Sequence, residues 1–167
     1  MQLFIIDKDP FNAAHSLADC HVRKQILETA QILTAYWVMN SGFERLEWMP
    51  KPQNYHHPVA MAINRENSEW VLTHFNALLR EYGMRFGNSH AYHNLYQSYL
   101  SRFIFRKLLS HCNYCELESF CRMFPGFTPE PGDIVSEYRQ YYRWKSNQIK
   151  DFGYTGMNPP EWMEVGK

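Results

Sequence analysis

His21, Lys24, Glu28 and Gln31 are spaced by three, four and three positions. An α-helix turns about 100° per residue, so this spacing stacks the four side chains along one line. An imidazole, an amine, a carboxylate and an amide on one line can do general acid–base or amine-nucleophile chemistry. A solvated helix face with a Lys24–Glu28 pair has the same residues. Two details favour a site. Lys ahead of Glu is the weaker orientation for helix support alone. The line also runs into Leu17 and Ala35 and is flanked by Ile32, Tyr36 and Leu27, where a solvated face would stay polar. Val22, Ile26, Ala30, Leu33 and Trp37 fall on another face, which reads as core.

Further polar groups follow in Asn54-Tyr55-His56-His57-Pro58 and in Asn64, Arg65, Glu66 and Asn67. His57 stands at a helix start, where free N–H groups favour anions; ordinary turn chemistry explains the same loop. Tyr138 to Lys145 interleaves aromatics with cations, as do phosphate-holding and base-stacking surfaces, and also reads as an amphipathic helix. His111, Cys112 and Cys115, followed by Cys121, are half of a zinc-knuckle pattern. No second C-x-x-C completes it, and the neighbours look like helical core, so no metal is expected. Neither G-x-x-x-x-G-K nor G-x-G-x-x-G occurs, and no cofactor is expected.

The elements that must hold these residues follow from start and stop signals. MQLFII is an apolar run expected as a buried extended segment. Asp9-Pro10 opens a helix that should run to about Met39 and stop at Ser41-Gly42. Residues 43–58 form a proline-bearing loop. Pro58 opens a second helix to about Phe86, ended by Gly87-Asn88. Ser89 starts a third, to about His111. After a turn-rich break over 124–132, a last helix spans about Asp133 to Lys150. The expected fold is all-α: a compact single-domain helical bundle over 1–167, with a short N-terminal extended segment and an irregular tail at 151–167.

The 167 residues fit one domain, and 45% hydrophobic residues suffice for a core. Seventeen basic and seventeen acidic side chains cancel, so any polyanion site must be local. Leu3 to Ile6 is too short for a signal or a membrane span, and a cytoplasmic location with reduced cysteines is expected. The sequence sets no oligomeric state.

Leu17-Ala18-Asp19-Cys20-His21-Val22, with Glu28 seven residues beyond the His, resembles the start of the phage pyrimidine-dimer DNA glycosylases (endonuclease V type). Its bacterial and phage branch resembles the chain more closely, with a Lys-x-x-x-Glu-x-x-Gln core like Lys24, Glu28 and Gln31. An Asn-x-His-Pro-like loop follows, comparable with Asn54 to Pro58, then a helix ending as in Glu81, Tyr82 and Arg85. The likeness covers residues 1 to 93, with a weaker echo at Tyr138 to Lys145.

This resemblance implies an all-α fold and an N-glycosylase acting on damaged or modified pyrimidines in DNA, with or without AP-lyase strand cleavage. Glu28 would stabilise positive charge at the sugar C1′ or orient the nucleophile. The nucleophile would be an amine, from Met1 or Lys24; Gln2 is too large to favour removal of Met1. An α-amine ordinarily titrates at about 7.7–8.0 and a lysine at about 10.4, which favours Met1. His21, Gln31, Asn54, His57, Asn64 and Arg85 are the candidate substrate-binding residues. Tyr36, Tyr55 or Trp144 could fill the gap left by a flipped base. Two alternatives stand beside it. One is an enzyme of the same fold acting on a free nucleotide or nucleoside derivative, which zero net charge favours. The other is a non-enzymatic phage-type binding or sequestering protein.

Overall fold

The first helix begins where Asp9 and Pro10 place it. The Asp9 carboxylate accepts the N–H groups of Phe11 and Asn12 at 2.8 and 2.9 Å, and Pro10 occupies the first turn. The computed structural model describes residues 1–42, 44–64, 66–95, 97 and 117–164. They form α1 (Pro10–His15), α2 (Asp19–Ser41), α3 (Pro58–Met61), α4 (Ser68–Phe86) and α5 (Ile134–Ser146), with single 3-10 turns at Leu117–Ser119 and Glu161–Met163. No strand forms among the described residues, and the all-α class holds. Nor is any helix among them long and apolar enough to cross a membrane.

Two expected helices are each divided. The first breaks at Ser16–Ala18, separating α1 from α2. The cause is tertiary. Ala18 N–H donates to the Tyr142 hydroxyl at 2.8 Å, and Asp19 N–H donates to the Gly153 carbonyl at 2.9 Å. The carbonyls that the break frees are taken by Arg85, whose guanidinium donates to His15 and Leu17 oxygens at 2.6 Å each. It also pairs with Asp19 and Glu81 at 3.2 and 3.0 Å. Its side chain is 3% exposed, so Arg85 joins α1, α2 and α4 from inside.

The second division lies between α3 and α4. Asn64 N–H donates to Asn67 Oδ1, and Asn64 Oδ1 accepts the N–H groups of Asn67 and Glu66. Such local bonds compete with the helical ladder. Asn67 Nδ2 then donates to the Ala62 carbonyl and Ser119 Oγ, fixing the turn. Both long helices end as expected, at Gly42 and Gly87, with φ of 71° and 68°. The third expected helix falls largely outside the described residues. So do His111, Cys112 and Cys115; Cys20 and Cys121 are free thiols.

Helix α2 is the central element. Val22, Ile26, Ala30, Leu33 and Trp37 are buried, as the helical wheel requires, and from Thr29 to Trp37 every residue but Gln31 is buried. α4 packs on both α1 and α2. Its Trp70 donates to the Lys8 carbonyl, and its His74 ring stacks on Trp70 and bonds the Pro10 carbonyl at 3.1 Å. Residues 1–7 form neither helix nor strand, yet Leu3 to Ile6 are buried. Arg139 of α5 holds this segment through the Ile6 carbonyl and the Asp7 carboxylate.

The last described residues, 151–164, are irregular, but they pack as a strap. Phe152 lies against His21 and Tyr142. Tyr154 donates to the Ser16 carbonyl, and the Thr155 N–H and hydroxyl donate to Asp19. The Trp162 carbonyl accepts from Arg143.

Candidate functional site

Glu28 lies on the edge of α2 that the expected stripe marks, and its side chain is only 13% exposed. Three donors meet its carboxylate. The Lys24 ammonium is 3.5 Å from Oε1. Gln25 Nε2 and the backbone N–H of Gln2 donate to Oε2 at 2.9 and 3.2 Å. The last bond brings the start of the chain to Glu28. Gln2 is fixed there by a second bond, from its Nε2 to the Met123 carbonyl. Phe4 continues the anchorage by packing against His21, Tyr141 and Tyr142.

His57 joins the group from the other side. Its Nδ1 accepts the Val59 N–H at the start of α3, so the neutral ring carries its proton on Nε2. Burial and the nearby Met1 amine pull its pKa below the ordinary value, while Glu28 opposes them. Lys145, in the last turn of α5, lies within electrostatic reach of Lys24 and Glu28. Burial, then the like charge of Lys24, lowers its pKa, with Glu28 and Cys20 opposing. Met1, Lys24, Glu28, His57 and Lys145 therefore form one neighbourhood.

The remaining candidates are placed elsewhere or otherwise engaged. His21 shares the stripe but is 4% exposed, and its Nδ1 is 2.8 Å from the Tyr142 hydroxyl. That hydroxyl also accepts the Ala18 N–H, which ties the ring to the start of α2. Burial, helped by Lys145 and Lys24, pushes the His21 pKa down to about 3. The ring is a buried neutral strut between α2 and α5. Gln31 Nε2 donates to the Lys51 carbonyl and tethers the loop before α3. Asn54 Oδ1 accepts the His56 N–H and shapes the turn into His57. Asn64 caps the turn before α4, and Arg85 is enclosed at the α1–α2 junction rather than at the surface.

Lys145 closes the aromatic and cationic run from Tyr138 that the sequence marks for phosphate or base contacts; Gln25 carries no such mark, and Gln2 only its size. Gln25 sits three residues before Glu28, between the polar stripe and the core face of α2. It is 1% exposed, and its Oε1 has no partner among the described residues. A separate groove of about 480 Å³, bordered by Lys8, Arg139, Arg143 and Trp162, lies against the other side of α5. Both of its guanidiniums are already bonded to backbone oxygens, which leaves the Glu28 neighbourhood as the more reactive surface.

The buried imidazoles make stability depend on pH. His74 donates from Nδ1 to the Pro10 carbonyl, and its buried Nε2 has no partner among the described residues. A second ring proton would have no acceptor there, and burial lowers the His74 pKa to about 4. Unfolded histidines titrate near 6.5, so between about 4 and 6.5 the unfolded chain binds two protons that the folded chain refuses. Stability is then complete above about pH 6.5 and falls as pH drops, by about 1.4 kcal/mol per pH unit for each histidine. From pH 7 to 5 the two together should remove about 4 kcal/mol. Urea unfolding at pH 7, 6 and 5 measures this. His74→Asn should halve the slope, and an unchanged slope would contradict the assignment.

Compared with protein-family models, curated proteins and solved structures, the chain matches none.

Proposed function

We propose that the chain is an N-glycosylase acting on damaged or modified pyrimidines in DNA, working through an amine beside Glu28. One observation carries the reading: the Gln2 N–H on Glu28 Oε2, which sets the Met1 amine next to a shielded carboxylate. In the reaction the amine nitrogen attacks C1′ of the deoxyribose. The C1′–N1 bond breaks with its electron pair going to the base, which takes up a proton. The nitrogen then loses a proton, and the C1′–O4′ bond breaks with its electron pair going to O4′, which takes up a proton, while the nitrogen lone pair forms the C1′=N bond of an iminium joining enzyme and ring-opened sugar. Glu28 stabilises the positive charge at C1′, and His57 presents an Nε2–H donor beside it. Water then releases the sugar, or β-elimination cleaves the strand.

Borohydride reduces such an iminium to a stable amine, so it traps the enzyme on DNA. The expected result is a covalent adduct with abasic DNA and with DNA carrying thymine dimers. Residues added before Met1 should abolish it, whereas Lys24→Arg should weaken binding and leave the adduct detectable. Loss of the adduct in Lys24→Arg alone would transfer the nucleophile to Lys24. No adduct with either DNA would remove the amine mechanism. The second reading, a free nucleotide or nucleoside substrate, would then lead, supported by the zero net charge.

A further inference from the structure

We propose that Lys145 and Lys24 form a phosphate-binding pair at the rim of the Glu28 site. The glycosylase reading enters only in naming DNA as the carrier of that phosphate.

His21 is buried and neutral, Gln31 is bonded to a carbonyl, and Arg85 is enclosed. None of them is available to an anion. Lys145 is differently placed. A lysine in the last turn of a helix ordinarily serves the helix dipole and its free carbonyls. The Lys145 ammonium instead lies 3.4 Å from the Tyr141 hydroxyl and 5.5 Å from the centre of that ring. Tyr141 is itself fixed between Phe4, Phe124 and Trp144. Among the described residues Lys145 has no carboxylate within ion-pair distance.

Contact between the two helices brings the lysines into one region. His21 of α2 and Tyr142 of α5 touch at 2.8 Å. The N-terminal segment spans the same gap: Gln2 N–H bonds Glu28, and the Phe4 ring packs on His21 of α2 and on Tyr141 of α5, the ring beside Lys145. Lys24 is 65% exposed and reaches solvent from its place beside Glu28. The neighbourhood then holds two ammoniums and the Met1 amine against one carboxylate. Its charge is positive whether or not Met1 carries its proton. In a chain with no net charge, this is the local excess that a phosphate group requires. Burial of Lys145 and its repulsion by Lys24 point the same way, because an anion between them relieves both.

The test measures binding without chemistry. Duplex DNA carrying a tetrahydrofuran abasic analogue is titrated over a salt series with the wild type, Lys145→Met, Lys145→Arg and Lys24→Met. Each phosphate contact contributes about 0.9 to the slope of log K against log salt. Lys145→Met should lower that slope by about one and Lys24→Met likewise, while Lys145→Arg should keep it. In a parallel arm, dTMP and inorganic phosphate are titrated by calorimetry, and Lys145→Met should lose the binding seen in the wild type. DNA bound with an unchanged slope in Lys145→Met overturns the phosphate pair and leaves the glycosylase reading standing. No DNA binding, with dTMP or phosphate bound through Lys145, supports the pair and overturns DNA as its carrier. Absence of binding in every arm overturns the pair.

Discussion

Glu28→Gln should cut base release from dimer-containing DNA by at least about a hundredfold, because removing one preformed electrostatic partner of a transition state costs roughly 3 kcal/mol or more. The swap keeps the shape of the side chain. It replaces one acceptor oxygen with an NH₂ group, which then faces one of three donors: Lys24, Gln25 or the Gln2 N–H. One orphaned donor costs about 1 kcal/mol and shifts the melting temperature of a domain this size by about 2–4 °C. Single-turnover base release and calorimetry on the same samples separate the two effects. Retained activity with a much larger fall in melting temperature would make Glu28 a structural anchor for the first residues.

Arg85→Met should be the most damaging single change to the fold. The guanidinium satisfies two backbone carbonyls and two carboxylates inside the α1–α2–α4 junction. Its loss leaves Glu81 buried, with the His15 ring as its remaining side-chain partner. Breaking one side of a buried charge pair costs about 3–5 kcal/mol. At about 2–4 °C per kcal/mol, the melting temperature should fall by about 6–20 °C. Glu81→Gln added to Arg85→Met should recover part of the loss, since the uncompensated charge disappears. A single-variant loss below about 1 kcal/mol, measured by urea unfolding, would show that the junction holds without Arg85.

Sequence reasoning recovers what is locally encoded. Asp9-Pro10 starts a helix because the cap and the fixed proline φ act within one turn, and Gly42 and Gly87 end helices because they accept a positive φ. The core face of α2 follows from its period. The break at Ser16–Ala18 is illegible, because no glycine or proline marks it and its causes are Arg85, Tyr142 and Gly153, all distant in sequence. The break before α4 had a signal in Asn64 and Asn67, two residues whose side chains compete for backbone bonds. At the site, the Lys24–Glu28 edge is legible from spacing. The approach of Gln2 and Lys145 is tertiary, and so is the burial that makes His21 a strut.

The way the two ends of the chain clasp each other has a consequence for how the molecule assembles. Helical proteins usually fold fast because their contacts are short in sequence. Here Gln2 bonds Met123, Arg139 bonds Ile6 and Tyr154 bonds Ser16, across 121, 133 and 138 positions. Loop entropy grows only by about 0.6 kcal/mol per doubling of length, so the finished clasp is not weak. Its cost is time. Leu3 to Ile6 precede α5 in synthesis, have no helical bonds of their own, and draw part of their cover from α5, which packs Tyr141 and Tyr142 on Phe4 and bonds the Ile6 carbonyl through Arg139. Until α5 is made, a nascent chain with α1, α2 and α4 already formed carries this apolar segment only partly covered. Among the described helices α5 is made after the others, and it closes both the core and the neighbourhood of Glu28.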